Sequence, residues 1–202
     1  MSDSTIPAHV TAILSGTNVL ICRPGESAQE LSRALSALGA SCHTLPTLDI
    51  TELAISELEK QHILSLDQYQ HVIVTSQHAA KAGLELINSY WPQFPIGQTW
   101  LAIGQKTASI LSDANIQLIP PKKDLISEDL LKLAPLQKVK DQKILILKGK
   151  GGRGVIPQVL AKRGAKVDEV DLYERVCPIY SNEQVKTALI DFQATYIVAL
   201  SG

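Results

Sequence analysis

The chain has 202 residues, 45% hydrophobic and 19% charged, with 19 basic and 20 acidic side chains and a formal net charge of −1. That composition fits an ordinary soluble globular protein with room for one large or two small domains, and it excludes long-range attraction to nucleic acid or a membrane, so an anionic ligand must be held by local groups. Aromatics are only 4%, a mix that suits alternating strands and helices better than an all-β sandwich.

Met1 to His9 is polar and lacks the regions of a signal peptide. No apolar run approaches the ~20 residues that span a bilayer, so the cytoplasm is the expected location. Cys22, Cys42 and Cys177 form no C-x-x-C pair and read as reduced, mostly buried thiols.

Asn18 to Arg23 predicts a buried parallel strand stopped by Pro24–Gly25. Leu31, Ala34, Leu35 and Leu38 recur at helical spacing, and Gly39 ends that helix. Cys42 to Ile50 reads as extended, with Pro46 demoting it to an edge strand or linker. A helix is expected near Thr51 to Ser65, a second buried strand over His71 to Ser76 leading into a helix through Leu86, and a third strand over Trp100 to Gly104 opening a helix from Lys106 to Asp113. Ile116 to Ile119 follows as a short strand closed by Pro120–Pro121, and Ser127 reads as the N-cap of a helix. Lys143 to Lys148 is a fifth strand, followed by the turn Gly149–Lys150–Gly151–Gly152–Arg153–Gly154 and a helix ending at Gly164. Val167 to Tyr173 is extended, Pro178 closes that stretch, a helix lies around Gln184 to Ile190, and the last strand runs from Tyr196 toward Ser201. Alternating strands and helices predict parallel sheets with helices on both faces.

The chain also repeats itself. A shift of 125 residues lays Val19–Cys42 over Ile144–Val167, matching Leu35, Gly39 and Ala40 to Leu160, Gly164 and Ala165, and without a gap it lays Val72–Ser76 over Ile197–Ser201. The first copy continues through Trp100–Gly104 and Ile116–Ile119, and the counterparts of these strands fall beyond Gly202. The repeat therefore leads us to expect a natural protein at least about 40 residues longer, with one domain incomplete here.

Several pieces, in order, resemble the uroporphyrinogen-III synthase family: Val19–Leu20–Ile21 with Arg23–Pro24, Val74–Thr75–Ser76, Ala102–Ile103–Gly104 with Thr107–Ala108, Ser127–Glu128 with Leu130–Leu131, Leu145–Ile146 followed by Gly149 and Gly151–Gly152–Arg153, Arg163–Gly164–Ala165, and Leu172–Tyr173–Glu174–Arg175. The departure is the family's closing segment, which carries a threonine thought to touch substrate. The resemblance implies an α/β fold of two flavodoxin-like domains with parallel sheets and the active site in the cleft between them. Residues 1–42 with 181–202 would form one domain, 51–172 the other, and 43–50 with 173–180 a two-stranded connector acting as a hinge.

The resemblance further implies the cyclisation of hydroxymethylbilane, an open tetrapyrrole with eight carboxylates, to uroporphyrinogen III. Water is lost and the last ring is inverted. Such a reaction is catalysed by positioning, with a weak acid to help water leave, and needs neither metal nor cofactor. The expected state is a monomer making transient contact with hydroxymethylbilane synthase. Tyr173 corresponds to the tyrosine the family is thought to use near the leaving hydroxyl; its alternative role is ring packing.

For the carboxylates, strand ends and the helix starts behind them are the expected anion sites. Ser76, Gln77, Gly104, Thr107 and the turn with Gly149, Gly151 and Gly152 lie there, with Lys148, Lys150 and Arg153 supplying charge and Arg23 at the equivalent spot of the other domain. Each of these cations also has a plain solvated role. The glycine turn lacks the Walker Lys–Ser/Thr, the five histidines show no metal-ligand spacing, and Ser201 has no G-x-S-x-G elbow. A two-domain binding or sensor protein without catalysis, and a nucleotide-dependent enzyme, are the rival readings.

Overall fold

A computed structural model describes residues 13–119 and 127–199. The strands are β1 (Asn18–Ile21), β2 (Ser41–Thr44), β3 (Asp49–Glu52), β4 (His71–Val74), β5 (Thr99–Ala102), β6 (Leu118–Ile119), β7 (Lys143–Gly149), β8 (Lys166–Val176) and β9 (Tyr196–Val198). Between them run α1 (Gly25–Ala37), α2 (Glu57–Leu64), α3 (Gln77–Tyr90), α4 (Gln105–Asp113), α5 (Ser127–Leu130), α6 (Val155–Lys162) and α7 (Asn182–Lys186), the last continuing as a π-helical turn over Thr187–Asp191.

The strands form two sheets, a three-stranded one in the order β2-β1-β9 and a six-stranded one in the order β3-β8-β7-β4-β5-β6. β1 runs parallel to β2 and β9, β7 to β8 and β4, and β5 to β4 and β6. The result is an α/β fold dominated by parallel pairing. The chain divides into two compact units, residues 1–50 with 175–202 and residues 51–174.

Successive side chains of a strand point to opposite faces, and β1, β4 and β7 are covered on both. In the larger unit Ile144 and Ile146 of β7 join Ile156 and Leu160 of α6 and Leu130 of α5 in one core. Leu147 faces the other way, against Gly83 of α3, where a Cβ would lie 2.9 Å from its Cδ1. In the smaller unit Val19 and Ile21 pack with Ala28, Leu31 and Leu35 of α1, while Leu20 and Cys22 pack with Ala188. Burying each such Leu or Ile contributes about 1.5–3 kcal/mol, which is why these strands read as continuous apolar runs.

The expected repeat is present in the pairing itself. Asn18 pairs with Ser41 as Lys143 pairs with Lys166, and Val19 pairs with Tyr196 as Ile144 pairs with His71. The helix ends also correspond: Gly39 and Gly164 hold φ of 93° and 88°, and Ala40 and Ala165 each donate a backbone N–H to the leucine five residues back.

Several local expectations change. The helix near Thr51 begins only at Glu57, because Ser56 and Glu59 form a reciprocal capping box, and Thr51 and Glu52 belong to β3. Pro46 separates β2 from β3 rather than lying within one strand. Ser127 is the first described residue of α5. β8 runs on to Val176. Cys177 is exposed, unlike buried Cys22, and all three cysteines are free. Expectations for Met1–His9, Pro120–Pro121 and Ser201 lie outside the described residues. Among the described residues no helix is long and apolar enough to cross a membrane, and no cluster of three or more His, Cys, Asp or Glu is arranged to hold a metal.

Candidate functional site

The carboxyl ends of β4, β5 and β7 gather most of the candidate residues of the larger unit. Their centre is Tyr173. Along β8 the pairing with β7 is regular until Lys148 meets Asp171, and then Gly149 pairs with Tyr173. Leu172 is thus an extra residue, a bulge that breaks the alternation of the strand, and Leu172 and Tyr173 are both buried. Tyr173 is only 2% exposed.

Its ring lies directly on Gly149. A Cβ at that glycine would meet the ring at 2.5 Å from Cζ and at 2.7 and 2.9 Å from the two Cε atoms. No residue with a side chain fits there while the tyrosine keeps its place. The adjacent Lys150 N–H donates to the Tyr173 carbonyl at 2.7 Å. His78, in the first turn of α3, sets its ring 5.5 Å from that of Tyr173, tilted by 56°.

The phenol is fixed as well. Tyr173 Oη and Ser76 Oγ are 2.9 Å apart, within hydrogen-bond distance. Ser76 is the N-cap of α3: its backbone is extended, and its Oγ accepts the Ala79 N–H at 3.1 Å. Gln77 is exposed beside it. Gly104 caps α4 with φ 81°, a backbone that favours glycine, and Thr107 in the first turn of that helix is 3% exposed.

The cations differ from one another. Lys148 is held by two carboxylates, Glu169 Oε2 at 2.8 Å and Asp171 Oδ1 at 3.3 Å. Burial works against its charge, but the two acids outweigh it and its ammonium titrates above the usual lysine range. Lys150 pairs with Glu174 at 3.2 Å and Arg153 with Glu128 at 3.3 Å, both at exposed positions of the glycine turn. Gly151 and Gly152 are exposed with φ of 81° and 100° and open space where a Cβ would stand. In the smaller unit Arg23 follows β1, and its Nε is buried without a hydrogen-bond partner among the described residues. An N–H in that condition favours an acceptor brought by a ligand.

The structure therefore brings Tyr173, Ser76 and Gly149 into direct contact, sets Gln77 beside them, places Gly104 and Thr107 on the neighbouring strand end, and leaves Arg23 in the other unit. Sequence reasoning missed His78 beside the tyrosine and the seat that Gly149 provides. It also missed a polar cluster at the opposite, amino end of the sheet. There buried Tyr69 donates to Asp168 at 2.8 Å and its hydroxyl lies 3.0 Å from His62 Nδ1. Burial and the Asp168 carboxylate push the Tyr69 phenol upward. In the smaller unit a recess of about 350 Å³ is lined by His43, Leu45, Tyr180 and Gln184, among others.

Comparison with known proteins follows the same direction. A family model described as uroporphyrinogen-III synthase HemD matches residues 29–202. The uroporphyrinogen-III synthase of Proteus mirabilis is 30% identical over 184 residues, covering 89% of this chain and 91% of its own length. That of Escherichia coli strain K12 is 30% identical over 190 residues, covering 92% and 76%. Among solved structures, a mutant uroporphyrinogen III synthase of the extremely thermophilic bacterium Thermus thermophilus superposes with a TM-score of 0.67 at 17% identity, covering 90% of this chain and 71% of that one. At that identity the likeness speaks to the fold.

Proposed function

Because the chain belongs to the uroporphyrinogen-III synthase family, we infer that it performs that family's reaction, closing hydroxymethylbilane into uroporphyrinogen III with inversion of the last ring and loss of water. The observation that carries the reading on the structural side is the Tyr173 phenol, seated on Gly149 and 2.9 Å from Ser76. It sits where two parallel strands end and a 14-residue helix begins.

This arrangement suits the chemistry. The substrate is a flexible polyanion, and the ring must be closed in one conformation only. That task calls for fixed groups rather than a powerful reagent. The start of α3 has no acidic side chain in its first turn, so its positive end favours a carboxylate. Gln77 and the α4 start at Gly104 offer further donors. The exposed turn with Gly151, Gly152 and Arg153 would contribute cationic contacts, Arg153 by exchanging Glu128 for a substrate carboxylate. Arg23 would use its unpaired Nε in the same way. Thr107 and Lys148 stand behind these groups, Lys148 keeping Glu169 and Asp171 neutralised. We further read each compact unit as a flavodoxin-like domain.

Tyr173 is the proposed acid. Its proton would assist departure of the hydroxyl as water, leaving an electrophilic azafulvene for attack by the last ring. The test is a coupled assay in which hydroxymethylbilane is generated in place, the protein is added, and the oxidised products are separated as isomers I and III. Isomer III at a rate above the blank is expected. Isomer I alone would refute the reading.

A further inference from the structure

The hydroxyl of Ser76 has one proton and two acceptor positions. One acceptor position is taken by the Ala79 N–H at 3.1 Å, and the Tyr173 oxygen stands 2.9 Å away. Within this pair two proton arrangements are open. In one the phenol donates to Ser76, and its proton is committed inside the protein. In the other Ser76 donates to the phenol oxygen, and the Tyr173 proton points away from the serine. The ring itself cannot choose between them by moving, since Gly149 supports one face and His78 lies against it. The remaining freedom is rotation of the O–H bonds.

Resting on the reading of Tyr173 as the acid, we propose that Ser76 is its positioning residue: the serine donates its proton to the phenol oxygen, which aims the Tyr173 O–H at the leaving hydroxyl. The step balances as follows. The carbon–oxygen bond of the hydroxymethyl group breaks with its electron pair on oxygen. The Tyr173 proton joins that oxygen and water leaves. The pyrrole nitrogen supplies electrons to the methylene carbon, and its N–H proton then restores the phenol. While the phenol oxygen is negative it accepts the Ser76 hydrogen bond. That charge sits at the amino end of α3, whose first turn holds no acidic side chain to oppose it.

The experiment is a double-mutant cycle in the coupled assay, using Ser76→Ala, Ser76→Thr, Tyr173→Phe and the Ser76→Ala/Tyr173→Phe pair. Ser76→Ala is expected to lower kcat on the order of 10- to 100-fold with KM within about twofold of wild type. Ser76→Thr, which keeps a hydroxyl and a competent cap, should restore most of the rate. In the Tyr173→Phe background Ser76→Ala should add less than about a twofold loss. Loss of the helix cap weakens both backgrounds alike, and thermal unfolding of all variants measures it, so capping alone cannot produce the coupling. A Ser76→Ala loss that is equal with and without the phenol, or one that falls on KM alone, overturns the proposal. So does unchanged turnover. Wild type giving only isomer I would instead defeat the functional reading beneath it.

Discussion

Gly149→Ala is the perturbation that most directly tests the geometry around Tyr173. The new methyl carbon would lie 2.5 Å from Cζ of the ring and 2.7 and 2.9 Å from its Cε atoms. Carbon atoms rest at about 3.5 Å or more, so the ring must retreat by about 1 Å. A retreat of that size would carry the phenol oxygen off its aligned 2.9 Å approach to Ser76, and hydrogen bonds weaken steeply with misalignment. A displacement of that size at a reacting group costs about 100-fold in kcat, and the overpacking costs about 1–3 kcal/mol of stability. Each kcal/mol should lower Tm by about 2–4 °C in a chain of this length. The assay is isomer III formation under saturating hydroxymethylbilane, with Tm measured in parallel. Gly83→Ala is the packing control, since its methyl meets Leu147 Cδ1 at 2.9 Å and Leu172 Cδ1 at 3.3 Å and so crowds the neighbouring core without contacting the tyrosine ring; its kcat should fall far less than that of Gly149→Ala at a comparable loss of Tm. Wild-type kcat in Gly149→Ala, with the ring displaced as calculated, would refute the claim that this seat matters to the reaction.

Tyr173→Phe should lower kcat without abolishing turnover, because positioning by the other groups persists; single-turnover formation of isomer III checks it, and complete loss would contradict a merely assisting acid. Arg23→Met keeps the apolar stem but removes the buried, unpaired Nε. KM should rise by about tenfold while Tm holds or increases, and a falling Tm with unchanged KM would mark Arg23 as structural. His71 is buried, its Nε2 lies 2.9 Å from Gln142 Oε1, and its Nδ1 has no partner among the described residues. Burial pushes its pKa down, so the folded state resists protonation. Its contribution is intact above the unfolded value of about 6.5 and is lost as pH falls below that through the folded pKa. The urea midpoint should therefore drop between about pH 7 and pH 5, and His71→Gln should flatten that drop.

Much of the architecture was legible because it is written in periodicity. The runs at Val19–Ile21, Val72–Val74 and Ile144–Leu147 are buried on both faces, and no polar residue interrupts them. The repeat was visible for the same reason: Leu35 and Leu160, Gly39 and Gly164 do equivalent work at equivalent places. The boundaries near Thr51 and Tyr173 were not legible. At Thr51 a strand is completed by pairing within the larger sheet, which no local spacing encodes. At Tyr173 the residue type pointed to chemistry, but its partners come from positions 76, 78 and 149. The glycines at 149 and 151 look alike in sequence, yet the first is bare because a ring rests on it and the second because its φ is 81°. Lys148 looked like a free cation since its two acids lie on a neighbouring strand.

The bulge at Leu172 means that chain length, as well as side-chain identity, encodes where the phenol goes. In a strand each residue removed or added reverses the side to which everything downstream is presented. A lineage could thus silence or revive this centre by losing or regaining one position upstream of the tyrosine, every reactive group remaining spelled out in its gene. Relatives that retain all of these side chains but differ by one residue in that stretch would be look-alikes on paper and different machines in space.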